Sequence, residues 1–451
     1  MTRATESARG GSAKSRPQKN GAAASEPQSR VPAMFRALRY RNYRLFFSGQ
    51  IISLIGTWMQ SVAQSWLVYR LTGSSLLLGL VGFAGQIPVF LLASIGGMVA
   101  DRRSRYRIII TTQTLAMLLA FILSALTLLG HIKVWEIMVL ASSLGLVNAF
   151  DIPARQAFIV EMVNPQDLVN AIALNSAMVN GARILGPAVA GVLVAAIGEG
   201  WCFFTNGVSY IAVIVGLLLM VVTPRPRDSR RSGFESLVEG FRWVARTAPI
   251  RALLLLLGLV SLTGMPYMVL MPIFADRILH SGARGLGLLM GAAGVGALTG
   301  TMMLAARQGV RGLGRWVMLA AMGFGASLIL FSMSHWFWLS LLLVMPAGFA
   351  MILQMAATNT LIQTMVPDEL RGRVMAVYAM MFMGTAPMGA LLAGAIAQHT
   401  GAPLTVRLGG IISLAGGIVF ALIWPGMRGE ARQLILAQSM AAGGPPEEMT
   451  G

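Results

Sequence analysis

Twelve apolar runs, each of about 20 residues or more, follow one another along this chain. They lie near 44–69, 76–99, 107–129, 134–156, 171–197, 201–223, 251–275, 285–306, 314–333, 336–361, 373–397 and 404–425. A run of that length, wound as a helix, crosses roughly 30 Å of hydrocarbon at about 1.5 Å per residue. Only helices or closed barrels satisfy the backbone inside a bilayer, and continuous apolar runs select helices. The pattern predicts an all-α membrane protein of twelve transmembrane helices. Charged residues make up 12% of the 451, about half the share of a soluble domain. A soluble enzyme, a disordered chain and a disulfide scaffold are excluded. The single cysteine, Cys202, permits no intrachain bridge.

An even number of crossings leaves both termini on one side. With that side inside, 29 of the 35 Lys and Arg residues fall on inner segments and 5 on outer ones, with Arg183 inside a helix. This asymmetry predicts cytoplasmic termini in a bacterial inner membrane. It also accounts for the formal charge of +18 as topology signal and lipid-headgroup contact, with no nucleic-acid partner. Residues 1–33 have the composition of a disordered cytoplasmic tail, and 426–451 form a second tail. Segment 224–250 links residues 34–223, a first six-helix bundle, to residues 251–425, a second. Within the linker, Phe234, Leu237, Val238, Phe241 and Val244 recur at helical spacing. They predict an amphipathic helix, lying either on the membrane surface or against a neighbouring loop.

Faint internal repetition accompanies the two bundles. Leu78-Gly79-Leu80 recurs as Leu286-Gly287-Leu288, Pro165-Gln166-Asp167-Leu168 as Pro367-Asp368-Glu369-Leu370, and Gly186-Pro187 as Ala386-Pro387. The offsets are 208, 202 and 200 residues. Pseudo-symmetric halves with a site between them are the plan of secondary transporters. No Walker sequence is present to suggest ATP as the driving force.

At the end of the second helix stands Gly97-Met98-Val99-Ala100-Asp101-Arg102-Arg103-Ser104-Arg105-Tyr106-Arg107. Gly97 and Ala100 allow close helix approach, and Asp101 sits at the membrane edge, where a lone carboxylate needs a partner. This stretch resembles the loop between helices two and three of the major facilitator superfamily. It departs from the family pattern at Val99, Ser104 and Tyr106, and Arg107 lies one place late. The resemblance implies an inner gate. Asp101, with Arg102, Arg105 and Glu161, would face the Arg371-Gly372-Arg373 region while the inner side is closed. Ala182-Arg183-Ile184-Leu185-Gly186-Pro187-Ala188-Val189-Ala190-Gly191 in helix five resembles the antiporter motif of the same superfamily, with Ala182 and Ala190 in place of glycines. The resemblance implies export in exchange for protons, shaped by Ala182, Gly186, Pro187 and Gly191; a plain packing face of small residues is the alternative. Asn148-Ala149-Phe150-Asp151-Ile152-Pro153-Ala154-Arg155-Gln156-Ala157-Phe158 is similar to the branch containing the enterobactin exporter and macrolide efflux proteins, the transmembrane secretion effectors.

Within the spans, Arg183 is a contact for substrate or proton coupling, or the partner of a buried acid. Asp151 is a candidate proton carrier, or the partner of Arg155 four residues on. Arg183 and Asp151 differ in height by about 13 Å, too far for a direct pair. Gln50, Thr57 and Gln64, flanked by Gln60 and Ser61, make a polar stripe on helix one; Gln354, Thr358, Asn359 and Gln363 make another on helix ten. In the family these helices surround the central cavity. Gln60, Gln64, Asp151, Arg183 and Gln354 are thus expected at a cavity for substrate or proton, hydrogen bonding between helices being the other reading. Met265, Pro266, Tyr267, Met268, Met271 and Pro272 predict a bent helix seven with an adaptable apolar surface. His131, His280, His335 and His399 make no metal-ligand spacing with Cys202 or one another, and no cofactor fingerprint is present. The expectation is a monomeric secondary transporter exporting a small amphipathic molecule by proton antiport and alternating access. An importer of the same fold, or a membrane sensor or scaffold, is the alternative.

Overall fold

The computed structural model describes residues 33–221, 234–307 and 309–441. The expectations for 1–32, for 222–233 of the linker and for 442–451 lie outside the described residues. The first six runs are helices α1 (Arg41–Thr72), α2 (Ser75–Arg102), α3 (Arg105–Leu128), α4 (Val134–Met162), α5 (Leu168–Ile197) and α6 (Glu199–Leu218). The linker forms α7 (Phe234–Arg246). Then come α8 (Ala248–Thr263), α9 (Tyr267–Ile273), α10 (Gly282–Ala305), α11 (Leu313–Met333), α12 (Phe337–Met365), α13 (Asp368–Ala379), α14 (Thr385–Thr400) and α15 (Ala402–Ala441).

Turn chemistry sets the shortest connections. Gly73, at φ 60, closes α1 in a left-handed conformation. The next residue, Ser74, caps α2 by accepting from the Leu77 amide at 3.3 Å. Ser104 likewise precedes α3, so the arginine-rich loop after α2 is a tight turn between two helices. Eleven segments are long and apolar enough to cross a membrane. In that count α8, α9 and a following π-turn at Phe274–Ile278 make one span; α13, a π-turn at Met380–Gly384 and α14 make another. The 32-residue α1 matches them in length but carries the polar stripe and is not among the eleven. Leu91 and Leu422 remain 62% and 76% exposed, which suits a surface wetted by lipid rather than water.

Helices α1–α6 pack mainly with one another, as do α8–α15. Two contacts dominate the seam between these groups: α2 against α14, and α5 against α10. We call the end carrying the α2–α3 and α4–α5 turns the near end, and the end carrying the α1–α2 and α3–α4 turns the far end. At the seam Gly79 lies against Ala390 and Gly394, and Gly287 against Pro187 and Gly191. Any side chain at either glycine would collide with the facing backbone. The Leu-Gly-Leu repeat is therefore a repeated contact. In that contact the counterpart of Pro187 is Ala390, three positions beyond the Pro387 that matched it in sequence.

Helix seven is interrupted where its first proline stands, between Thr263 and Tyr267. Two expectations change. The linker helix α7 docks on α13: Arg373 pairs with Glu239, and Gly240 lies under the Arg373 carbonyl. Val244 is buried, while Val238 and Phe241 remain exposed. Residues 426–441, assigned to a tail, continue α15 through Pro425. They do so because Ala431 is buried and Leu434 and Ile435 pack on the core of the second group.

Candidate functional site

A cavity of about 420 Å³ opens between the two helix groups. One wall carries amides and hydroxyls among apolar side chains. Helix α1 contributes Thr57, Gln60, Ser61 and Gln64, one face of its stripe, and Gln86, Asn148 and Asn206 join from α2, α4 and α6. The facing wall is apolar: Met265, Met268 and Val269 beside the break in helix seven, and Met290 on α10. Gln60 is held in place, because Asn206 donates its Nδ2 to the Gln60 Oε1 at 2.6 Å, and Ser209 donates to Asn206 at 3.1 Å. The sequence reading missed Asn206. Its only signal was a lone amide within an apolar helix.

Helix α5 meets the cavity from behind. Gly186 accepts the Trp58 side chain so closely that any Cβ there would overlap it, with the Ile55 carbonyl 2.9 Å away. One turn earlier, the Arg183 guanidinium lies over the Trp58 ring at 5.2 Å. The Trp58 indole lines the cavity. Ala182, Pro187 and Gly191 are buried on α5, Gly191 against Gly287 of α10.

Three expected cavity residues stand outside the lining: Arg183, stacked on Trp58, together with Asp151 and Gln354. Asp151 is 2% exposed and turned toward α3. Thr112 and Gln113 donate to its Oδ1 at 2.8 and 3.0 Å, and Arg155 pairs with its Oδ2 at 2.9 Å. The pair four residues apart on one helix face is the arrangement found, and Arg183 is not part of it. Gln354 is 1% exposed and outside the cavity lining, because α12 buries Gln354 and Thr358 against neighbouring helices, while Gln363 of the same stripe stays exposed. Its Nε2 and the Thr358 hydroxyl are buried without partners among the described residues.

At the near end Arg105 gathers the gate residues of the first group. It donates to Glu161 and to the Ala157 carbonyl, both at 3.1 Å, and lies 3.5 Å from Asp101. Asp101 keeps 64% of its side chain exposed, and Arg102 is exposed. Across the gap, Arg371 pairs with Asp368 and Arg373 with Glu239. Space is open around Gly97 and around Gly372. Asp101 and the Arg371–Arg373 segment are thus not joined in this conformation.

The far end is joined. The Tyr69 hydroxyl donates to Asp276 at 2.7 Å, and Arg277 reaches the Gly73 carbonyl at 3.2 Å. Ser74 and Ser75 donate to the Gln398 carbonyl oxygen at 3.0 and 3.2 Å. Every one of these bonds crosses between the two groups. The sequence reading counted Arg277 only as an outer loop charge; the acid-base pair Asp276-Arg277 at a span end was the available signal. No group of His, Cys, Asp or Glu among the described residues is arranged to hold a metal ion.

Known proteins share this architecture. A nucleoside transporter, NupG, superposes with a TM-score of 0.69 over 86% of this chain and 99% of its own, at 12% identity. A bacterial homologue of the human lysosomal transporter Spinster, in an inward-facing and occupied conformation, gives 0.63 over 88% and 98%, at 16% identity. In sequence, the staphyloferrin A transporter of Staphylococcus aureus is 26% identical over 84% of this chain and 96% of its own. The multidrug efflux pump Tap of Mycolicibacterium fortuitum is 28% identical over 83% and 93%. The enterobactin exporter EntS of Shigella boydii serotype 4 is 24% identical over 84% and 91%. The profile of the transmembrane secretion effectors matches residues 33–440. The chain therefore belongs to the transmembrane secretion effector family of the major facilitator superfamily, and it is a multi-pass membrane transporter, not an enzyme.

Proposed function

We propose that this protein is an efflux transporter carrying a small amphipathic molecule out of a bacterial cell across the inner membrane, in exchange for protons. The observation that carries the reading is the cavity's mixed lining: amides and hydroxyls from the first helix group lie among Val68, Leu78, Val81 and Leu144, and methionines of the second group face them. Such a cavity suits a ligand with one polar and one apolar side, and methionines adapt to varied apolar shapes. The names of the Staphylococcus, Mycolicibacterium and Shigella relatives, a siderophore transporter, a drug pump and a siderophore exporter, support the same cargo class.

In this reading α1 is the twelfth span, both termini are cytoplasmic and the near end is the inner one. The bundles of residues 34–223 and 251–425 rock about the cavity, and a single chain carries out the cycle. Sealing bonds at the far end and an unjoined gate at the near end are the features of an inward-open state, which loads from the cytoplasm. Closing the near end would bring Asp101 to the Arg371–Arg373 segment. Asp151 is the proposed coupling residue. A proton on its Oδ2 would end the ion pair with Arg155, while Oδ1 would go on accepting from Thr112 and Gln113, so the change would fall on Arg155.

Inverted vesicles energised to an acid interior test the reading. Uptake of fluorescent amphipathic dyes and siderophores should be abolished by a protonophore and lost in Asp151→Asn. Protonophore-sensitive uptake that survives Asp151→Asn would remove the coupling residue. Uptake in right-side-out vesicles, with none in inverted ones, would replace export by import.

A further inference from the structure

The buried acids in and beside the spans are committed. Asp151 is held by Arg155, Thr112 and Gln113, Asp167 by Arg39 at 2.7 Å and Glu199 by Arg70 at 2.7 Å, and the half-buried Asp276 accepts from Tyr69. Arg183, near the middle of α5, has no such balance. Among the described residues, its buried Nε has no hydrogen-bond partner and no carboxylate comes within ion-pair distance of its guanidinium. It rests only on the face of Trp58 and keeps part of its surface open.

A second orphan lies beside it. Tyr267, the first residue of α9, is 2% exposed, its ring edge-on to Phe324 at 6.1 Å. Its hydroxyl also lacks a partner, and it is close enough to Arg183 for the two to interact electrostatically. One cationic donor and one neutral donor thus stand near each other on opposite helix groups, outside the cavity lining, neither with an acceptor among the described residues. An unpaired charge and an unmade hydrogen bond are among the costliest features a span can hold. Both are relieved by one kind of group, an oxyanion. The place adjoins the cavity: Trp58 lines it, as do Met265 and Met268 on either side of Tyr267. Gly186 fixes the arrangement by bringing Trp58 against α5, one turn from Arg183.

We propose that Arg183 and Tyr267 form an anion subsite at the back of the cavity, seating a carboxylate or similar oxyanion of the transported molecule while its apolar body lies on the methionine wall. The inference rests on the efflux reading only in taking the ligand to be cargo. Because the two donors belong to different helix groups, an occupied subsite would also tie the groups together at the level of the cavity.

The test uses the full chain purified in detergent and two matched probe pairs: dansyl-phenylalanine with its methyl ester, and pyrenebutyrate with its methyl ester. Inorganic phosphate serves as an anion without an apolar body. The acids should bind about tenfold or more tightly than their esters, the scale of one charge-assisted hydrogen-bonded pair. Arg183→Gln should abolish that preference by weakening acid binding far more than ester binding; Arg183→Lys should keep part of it, and Tyr267→Phe should reduce it. Without ligand, Arg183→Gln should melt no lower than the parent, since it removes an uncompensated charge; an arginine with a structural partner would make it melt lower. Equal binding of acids and esters, a preference that survives Arg183→Gln, or phosphate binding as tightly as the acids would overturn the proposal. An acid preference without proton-driven uptake in vesicles would remove the export reading and leave the subsite standing. Proton-driven uptake without an acid preference would do the reverse.

Discussion

Asp151 shows how a charged side chain can be held inside the membrane-spanning helices. Asp151 is paid for in full by Arg155 and by two donors from α3. Removing its charge alone leaves Arg155 without that partner, and breaking a buried pair from one side costs more than removing both. Asp151→Asn should therefore destabilise the protein by about 2 kcal/mol, and Asp151→Asn with Arg155→Leu by less than the sum of the single changes. Thermal unfolding of the four proteins in detergent measures the cycle; strict additivity would dissolve the pair. Gly186 is decisive for a different reason, the space taken by Trp58. Gly186→Val should displace the indole and reduce transport at least tenfold, with insertion and helix content, read by circular dichroism, unchanged. Undiminished transport would show that the close approach carries no function.

At the scale of elements, two glycines hold the seam at its far half. Gly79 on α2 and Gly287 on α10 each meet the backbone of a helix from the other group. Valine at either position should force these helices apart and favour a conformation open at the far end. Labelling of Gln64→Cys by a membrane-impermeant thiol reagent, in a Cys202→Ser background, should rise several-fold from that side. No change in labelling would contradict the assignment of these contacts as the seal. Much of this was legible in the sequence. Ten of the twelve predicted runs fall on single helices, because an apolar run in a bilayer has little choice of structure; the seventh breaks near Pro266 and the eleventh passes through a π-turn. The Leu-Gly-Leu repeat and the stripe on α1 marked the seam and the cavity wall. The rest depended on how helices rotate against one another. A polar stripe can face a cavity, as Gln64 does, or a neighbouring helix, as Gln354 does, and periodicity does not separate these. The extension of α15 past Pro425 and the docking of α7 on α13 needed tertiary partners that no local signal names.

Across the whole molecule, the two ends of the seam differ. The far end is bonded through Tyr69 with Asp276 and through Ser74 and Ser75 with Gln398; the near end leaves Asp101 largely exposed and Gly97 and Gly372 in open space. In the proposed cycle, closure passes from one end to the other about the cavity. Asp276→Asn weakens the far-end bond with Tyr69 and should shift the balance toward near-end closure. The direct measurement is a pair of distances by electron double resonance in a Cys202→Ser background. One spin pair sits at the near end, Arg102→Cys with Gly372→Cys, and one at the far end, Leu71→Cys with His399→Cys. On adding Asp276→Asn, the near-end distance should shorten as the far-end distance lengthens. Distances that change together, or far-end opening with no near-end closure, would contradict alternating access in this protein.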